Sequence, residues 1–253
     1  MDQIWWQARA AVFGAGFVVA ILASAALWNA DWAVARTDAL FVFGVLGLVA
    51  MFALGWNALG DALPIGAVFL AGVVLEWQRT GAGAWAYEAG GVLQFGQKPL
   101  FVGFMYAAVG SYIIRSLRLK ALMVTGMPAI WIGLGAGAVI YGSYFLSLPS
   151  WVRPLLLTFV VIVFSGARVR SPSGSWLYVP VALAMAAVLL WVAENVGTFT
   201  GTWSYPGQGA YEFVSLSKIG AWFLLLNVCF LLVIYLGPGD LRRHREGTDA
   251  SSP

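Results

Sequence analysis

Residue types that carry much soluble and metal-dependent chemistry are scarce in this sequence of 253 residues. It has one cysteine, Cys229, and one histidine, His244, so it offers neither an internal disulfide nor a Cys or His cluster for a metal. Charged residues make up 10% of the chain, against about 25% in an average soluble domain. The net charge of +3 is too small and too dispersed for nucleic-acid binding, and no glycine-rich phosphate loop occurs. These absences exclude a soluble globular enzyme, and we expect no metal, no cofactor and no nucleic-acid partner.

Long apolar runs are abundant, because apolar residues make up 61% of the chain. A helix needs about 20 such residues to cross the ~30 Å core of a lipid bilayer. Eight runs occur, at about residues 10–29, 39–58, 62–78, 99–117, 126–147, 153–167, 177–196 and 218–237. The predicted fold class is therefore all-α, a polytopic membrane protein with eight transmembrane helices. The first run has an alternative interpretation, a signal peptide cleaved after the Ala-Ser-Ala sequence at 23–25.

The basic residues predict the orientation in the membrane. With eight spans, both termini lie on one side, which carries nine Lys and Arg residues: Arg9, Arg115, Arg118, Lys120, Arg168, Arg170, Arg242, Arg243 and Arg245. The other side carries five: Arg36, Arg79, Lys98, Arg153 and Lys218. Because basic loops remain in the cytoplasm, we expect both termini there and the loops at 79–98 and 197–217 outside.

One sequence motif, E-x3-T-x2-G-x-W-x-Y, occurs twice at a separation of 118 residues. The first motif consists of Glu76, Thr80, Gly83, Trp85 and Tyr87, and the second of Glu194, Thr198, Gly201, Trp203 and Tyr205. The same offset places the first and third apolar runs on the fifth and seventh and the second near the sixth, and the fourth falls on the eighth after a two-residue insertion. The sequence therefore predicts two parallel four-helix repeats, at 1–120 and 121–237, and a disordered cytoplasmic tail at 238–253.

The spacing within the motif predicts a polar site. Glu76 and Thr80 are four residues apart, as are Glu194 and Thr198, so each hydroxyl is expected to bond its carboxyl on one helix face. The glycine, tryptophan and tyrosine alternate, so they point the same way in an extended segment, and the glycine permits close backbone approach. We expect the two carboxyls and two hydroxyls to be catalytic groups in one chamber near the outer surface. The glycine, tryptophan and tyrosine of each motif are expected to bind the ligand.

Asn195, Lys98 and Lys218 are further candidates for ligand binding, each with a structural alternative. Asn195 can form an interhelical hydrogen bond, and the lysines can anchor the chain at the interface. The motif has alternatives too. Its carboxyls can cap helix ends or pair locally, as Glu76 with Arg79, and its aromatic side chains can belong to the interfacial belt.

The surroundings of both motifs resemble a bacterial membrane family catalogued as domain of unknown function 817. The resemblance rests on the first motif with residues 99–112, and on residues 191–206 with Lys218 and Trp222. It extends over nearly the whole chain, from about residue 6 to 236. It implies a multi-span protein of the bacterial inner membrane with no established activity.

A weaker likeness is to small membrane carotenoid enzymes, the heterodimer-type lycopene cyclases and the bisanhydrobacterioruberin hydratases. It rests on an acidic helix end, a G-x-W-x-Y loop and a Pro-Leu opening of the next span. Those cyclases typically add Pro-x-Glu-Glu at that span, where this sequence has Lys98-Pro99-Leu100-Phe101. The likeness therefore implies acid-assisted chemistry on a polyprenyl chain rather than cyclase activity itself.

The sequence alone is compatible with three functions. In each of them the protein lies in the lipid bilayer, which is its expected partner. The first is an intramembrane enzyme or binding protein for a hydrophobic, isoprenoid-like ligand, which predicts a lipid-accessible cavity lined by both motifs. The second is a small-solute or proton-coupled transporter or channel, in which the glutamates couple protons. The third is a structural membrane subunit that docks a partner through the motif loops. The oligomeric state is not encoded in any of these patterns.

Overall fold

The computed structural model describes residues 2–29, 31–96, 98–209, 211–239 and 241. Nine α-helices lie within these residues: α1 (Asp2–Ala10), α2 (Val12–Leu27), α3 (Arg36–Ala53), α4 (Ala62–Gly81), α5 (Val102–Leu119), α6 (Ile130–Ser143), α7 (Val152–Val163), α8 (Val179–Phe199) and α9 (Ser217–Leu236). A short 3-10 helix, Leu59–Asp61, leads directly into α4.

The eight predicted apolar runs each overlap one helix, from α2 to α9 in order. Four helices of the described residues are long and apolar enough to cross a membrane: α3, α4 with its preceding 3-10 turn, α8 and α9. The apolar helices α2, α6 and α7 are shorter. The molecule is therefore mostly helical, with four candidate membrane spans.

The all-α prediction is incomplete, because short strands occur in the interhelical loops. They are β1 (Ala86–Tyr87), β2 (Gln94–Phe95), β3 (Lys98–Pro99), β4 (Met123–Thr125), β5 (Arg168–Arg170), β6 (Trp176–Tyr178) and β7 (Trp203–Ser204). β1 pairs with β7 and β2 with β3, while β4, β5 and β6 form one sheet, all antiparallel. The strands form because packed loops need hydrogen-bond partners for their backbone N–H and C=O groups. The sequence does not predict them, because two or three residues are too few to show the alternating hydropathy of a strand.

Helices α5 and α9 form the centre of the molecule. Twelve of the 18 residues of α5 and eleven of the 20 residues of α9 are buried. Helix α4 packs along α5, and α8 packs along α9. The outward faces of α3 and α8 instead expose large apolar side chains, such as Leu46 at 63% and Leu189 at 64%. Such apolar surface suits contact with lipid rather than water.

Buried charges join the loops at one end of the helices. Arg36, at the start of α3, donates a hydrogen bond to the Thr200 carbonyl (3.2 Å) and lies 3.4 Å from the Glu88 carboxylate. The neighbouring Asp38 carboxylate accepts the Leu93 backbone N–H at 2.8 Å. The segments that follow α2, α4 and α8 therefore contact one another.

A second set of buried charges joins the opposite helix ends. Arg115, near the end of α5, donates to the backbone carbonyls of Trp56 (2.8 Å) and Arg9 (2.6 Å). Arg118 forms an ion pair with the buried Asp61 carboxylate. These bonds connect the segments before α2, after α3 and at the end of α5.

The tail predicted at 238–253 lies mainly outside the described residues, which include only 238, 239 and 241 of it. Leu241 is buried, with 1% of its surface exposed. His244 falls in the part that is not described.

Candidate functional site

Glu76 is the centre of a buried hydrogen-bond cluster. Trp85 Nε1 (2.7 Å) and the Tyr87 hydroxyl (2.8 Å) both donate to its Oε2. The Tyr106 hydroxyl, from α5, donates to its Oε1 at 2.9 Å. Although both residues are described, Arg79 forms no ion pair with Glu76 and donates instead to the backbone carbonyl of Tyr144, at 3.5 Å. The predicted local ion pair is therefore wrong, and neutral donors satisfy the carboxylate.

Glu194 has a similar but unequal set of partners. The Tyr205 hydroxyl donates to its Oε1, and Trp222 Nε1, from α9, donates to its Oε2 at 2.6 Å. The motif residue Trp203 takes another position, with its ring against the backbone of Gly197, where an added Cβ would lie 2.0 Å from the ring. The indole that bonds the carboxylate therefore comes from the motif in the first copy and from α9 in the second.

The two motif glycines end helices α4 and α8 in the same way. Gly83 has φ +72° and Gly201 has φ +66°, a left-handed conformation that glycine adopts easily. In each copy the glycine N–H bonds to the carbonyl of the motif threonine, at 3.0 and 3.1 Å. The next N–H bonds to the carbonyl five residues earlier, at 3.0 and 2.9 Å. This pair of bonds is a Schellman motif, after which the chain continues in extended form toward the aromatic residues.

The predicted hydrogen bonds from the threonines to the carboxyls, and the predicted close approach at the glycines, are wrong. The Thr80 hydroxyl donates to the Glu76 backbone carbonyl (2.5 Å) and the Thr198 hydroxyl to that of Asn195 (3.2 Å), so neither bonds a carboxyl. A threonine hydroxyl within a helix reaches the carbonyl of the preceding turn, which competes with any side-chain acceptor. No atom lies within 4 Å of a Cβ added at either motif glycine, so these positions serve helix termination rather than close approach.

Strands β1 and β7 bring the two motifs together. Tyr87 lies opposite Trp203 in this pair, with ring centroids 6.1 Å apart. The Trp85 and Tyr205 rings contact edge to face, with centroids 6.0 Å apart. Aromatic pairs at such distances add specific geometry to the apolar contact. The four motif aromatics therefore form one group that joins both halves of the chain.

The two candidate lysines differ in position. Lys218 Nζ lies 3.6 Å from the centre of the Tyr205 ring and 5.3 Å from that of Trp85, within cation–π distance of both. Lys98 Nζ lies 5.7 Å from the Trp77 ring, away from the motif aromatics. Only Lys218 of this pair belongs to the aromatic group.

A cavity of about 460 Å³ contains this group. Seven of the predicted site residues line it: Glu76, Glu194, Trp85, Tyr87, Trp203, Tyr205 and Lys218. Six do not: Thr80, Thr198, Gly83, Gly201, Asn195 and Lys98. Asn195 instead holds a loop, because its side chain donates to the Trp191 carbonyl (2.7 Å) and accepts the Val214 N–H (2.8 Å).

Sequence reasoning missed seven polar or aromatic residues of the cavity: Phe17, Arg79, Tyr106, Tyr112, Tyr144, Arg153 and Trp222. Arg79 lies inside the first motif, but its sequence position suggests only a pair with Glu76 or a basic residue at a helix end. Tyr106 and Trp222 belong to the segments that carry the family resemblance and have no other mark in the sequence. Nothing in the sequence marks Tyr144 or Arg153, because their elements, α6 and α7, have no motif of their own.

The cavity is elongated and opens toward the side of the molecule. Its lining extends from Ala11, just before α2, to Ile21 on α2, ten residue steps that correspond to about 15 Å of helix rise. Three lining residues are themselves exposed: Ala15 on α2, Leu189 on α8 and Arg153 on α7. The cavity therefore reaches the surface on the apolar flank of α2 and α8 and, at one end, beside Arg153.

Burial controls the protonation of the loop tyrosines. Loss of solvation, followed by the charge of Glu76, raises the pKa of the Tyr87 phenol well above its ordinary value. Loss of solvation and then Glu194 raise the pKa of Tyr205 in the same direction. Both phenols therefore stay protonated and remain donors to their carboxylates at physiological pH. Within the described part of the chain, no group of three or more His, Cys, Asp and Glu residues is arranged to hold a metal ion.

Fold and site together define a helical protein of membrane type whose cavity contains two carboxylates and a group of aromatic side chains. The chain belongs to the family described as "Protein of unknown function (DUF817)", whose model matches residues 2–230. This match confirms the family resemblance deduced from the sequence.

Two known proteins are similar to this chain. Uncharacterized protein YoaT of Bacillus subtilis (strain 168) is 30% identical over 212 residues, which cover 79% of this chain and 78% of YoaT. The crystal structure of a cross-linked MvINS trimer is 19% identical, with a TM-score of 0.48, and the match covers 72% of this chain and 95% of that one. The structural similarity is too low to support an argument. The likeness to carotenoid enzymes stays a prediction.

Proposed function

We propose that this protein binds an elongated hydrophobic, isoprenoid-like ligand inside the bacterial inner membrane, with Glu76 and Glu194 at its polar or reacting end. The observation that carries the proposal is the single cavity, which joins both motif carboxylates to a long apolar channel. Its volume of about 460 Å³ lies within the roughly 300–1,000 Å³ typical of ligand pockets. The carboxyls could exchange protons with the ligand, and the Trp and Tyr faces could stabilise a developing positive charge.

The route of entry supports a ligand taken from the bilayer. The cavity opens between α2 and α8, and Leu189, at this opening, is 64% exposed on an outward apolar face. A lipophilic molecule in the membrane would reach the cavity without crossing water. A polar solute would instead need an aqueous path, which an apolar lateral opening does not supply.

We extend the proposal to the membrane topology. Helices α2–α9 would cross the inner membrane eight times as two parallel halves, 1–120 and 121–237, with both termini in the cytoplasm. Strict alternation places the segments after α2, α4 and α8 on one side, and Arg36 and the β1–β7 pair join these segments. It places the segments before α2, after α3 and after α5 on the other side, and Arg115 joins these. Nine basic residues against five favour the second side as cytoplasmic.

The test fills the cavity without changing its charges. Ala186 lines the cavity on α8, whereas Val188, two residues further along the same helix, is 45% exposed. We expect the parent protein, purified in mild detergent, to retain a stoichiometric lipophilic compound detectable by native mass spectrometry and organic extraction. Ala186→Trp should lose that compound, and the matched control Val188→Trp should keep it.

Two results would contradict the proposal. A parent protein that carries only bulk phospholipid would favour transport of a polar solute, and flux measurements in proteoliposomes would follow. A compound that both tryptophan variants retain would place the ligand outside the cavity.

A further inference from the structure

Three cationic side chains line the cavity at one end of the helices. They are Arg79 in the last turn of α4, Arg153 in the first turn of α7 and Lys218 in the first turn of α9. Among the described residues neither motif carboxylate forms an ion pair with any of these three side chains, and indole and phenol groups donate to both carboxylates. The cavity therefore contains three cations and two carboxylates that already have neutral partners.

Contacts through Tyr144 and α7 gather these cations. The Tyr144 carbonyl accepts the hydrogen bond from Arg79, and its hydroxyl donates to the Ala221 carbonyl in the first turns of α9, at 2.6 Å. Tyr144 and Ala221 line the same cavity as Arg79, Arg153 and Lys218.

The same arrangement brings the starts of α7 and α9 together. Gly220, two residues after Lys218, faces Leu157, one helical turn after Arg153, and a Cβ added at Gly220 would lie 3.4 Å from that leucine. Helices α7 and α9 both begin beside these cations, so the positive ends of the two helix dipoles add to the positive charge of the side chains.

We propose that Arg79, Arg153 and Lys218, here called the cationic cluster, bind the anionic head group of a long-chain ligand, a carboxylate or a phosphate. The tail of this ligand would occupy the apolar channel, so the inference rests on the proposed function and specifies its ligand. Guanidinium groups match the geometry of such anions, and a hydrogen bond to a charged group contributes more than one to a neutral group. Arg153, which is exposed, marks the end of the cavity at which the head group would lie.

The experiment compares ligands that share a chain and differ in the head group. Farnesyl diphosphate, farnesol and inorganic diphosphate are titrated into the full-length protein in mild detergent, with affinity measured by calorimetry. We expect farnesyl diphosphate to bind at least about tenfold more tightly than farnesol. Arg153→Gln and Arg79→Gln should each remove most of this difference and leave farnesol affinity unchanged. Arg170→Gln, an exposed arginine on β5, is the matched control and should change neither affinity.

The outcomes separate this inference from the proposed function. Equal binding of farnesol and farnesyl diphosphate would overturn the anionic head group while the hydrophobic ligand stands. Inorganic diphosphate that binds as tightly as the farnesyl ester would overturn the long-chain ligand in favour of a free anion. Failure of all three to bind folded protein would overturn both. Should Arg79→Gln not fold, the exposed Arg153 position alone decides the question.

Discussion

Glu76 and Glu194 occupy equivalent motif positions but accept different numbers of hydrogen bonds, three and two. A glutamine there keeps one acceptor oxygen and turns an NH₂ group toward buried donors, which are then left unsatisfied. We expect Glu76→Gln to lower the free energy of unfolding by about 2–3 kcal/mol and Glu194→Gln by about 1–2 kcal/mol. Denaturant unfolding in detergent measures both.

Tyr106→Phe is the control for the Glu76 cluster, because it removes one donor and leaves the carboxylate in place. It should lower the free energy of unfolding by about 1 kcal/mol. Equal losses for the two glutamine variants would contradict the unequal hydrogen bonding. The control also serves the functional question. Lost ligand binding in Glu76→Gln indicates a binding role only if Tyr106→Phe remains folded and still binds.

The limits of the motif prediction appear at individual residues. Both carboxylates and all four motif aromatics line the cavity, although the Trp203 ring takes a different position from that of Trp85. The threonines were misassigned because the four-residue spacing that aligns two side chains also aligns a hydroxyl with a backbone carbonyl. Lys98 and Lys218 match in sequence, yet only Lys218 reaches the aromatic group, because side-chain direction depends on the packing of each loop.

Alanine substitutions at three glycines, two in α4 and one just after it, should change the stability of the protein to different extents. Gly66 of α4 has open space around its Cβ position, whereas a Cβ at Gly72 would lie 2.1 Å from the Tyr106 ring. Gly83, after the helix, has open space but a φ of +72°. We expect Gly66→Ala to stabilise by up to about 1 kcal/mol, and Gly83→Ala to destabilise by about 1–2 kcal/mol. Gly72→Ala should destabilise most, since it displaces the Tyr106 donor of Glu76.

Thermal unfolding of these three variants, with Gly83→Asn added, provides the measurement. Asparagine tolerates the left-handed conformation better than alanine, so Gly83→Asn should be the milder change. A Gly83→Ala variant as stable as the parent would contradict the helix-ending role of the motif glycine. A harmless Gly72→Ala would contradict the close contact between α4 and the Tyr106 ring.

Helices and strands differ in how far the sequence predicts them. Each helix from α2 to α9 coincides with an apolar run, because burial and lipid contact both demand apolar side chains over many residues. The strands β1 and β7 are two residues each and pair across a separation of more than 100 residues. Their partners are fixed by where the helices end, so no local pattern encodes them. The same holds for Arg153 and Tyr144, which reach the cavity from α7 and from the end of α6.

Polar contacts and apolar exposure give the whole molecule a consistent orientation relative to a membrane. The buried charges Arg36 and Arg115 join loops at opposite ends of the helices, while the sides of α3 and α8 expose apolar residues. Chains with polar ends and an apolar belt satisfy both water and lipid. The cationic cluster lies at the end that the basic-residue count assigns to the outside, so an anionic head group would lie near that surface.

Cysteine labelling tests this orientation. The native Cys229 is buried and should not react, so any label reports an introduced cysteine. Ser173, in the turn between β5 and β6, and Ser215, just before α9, are both exposed and are separated by α8, a candidate span. In intact cells, a membrane-impermeant maleimide should label Ser215→Cys, whereas Ser173→Cys should react only after permeabilisation. The parent chain, with Cys229 alone, is the control and should stay unlabelled in both conditions.

The reverse labelling pattern would place the termini and the β4–β6 sheet outside the cell. The cationic cluster, at the opposite ends of the helices, would then lie on the cytoplasmic side. Labelling of both positions in intact cells would mean that α8 does not cross the membrane, which would remove the alternation on which the paired halves depend.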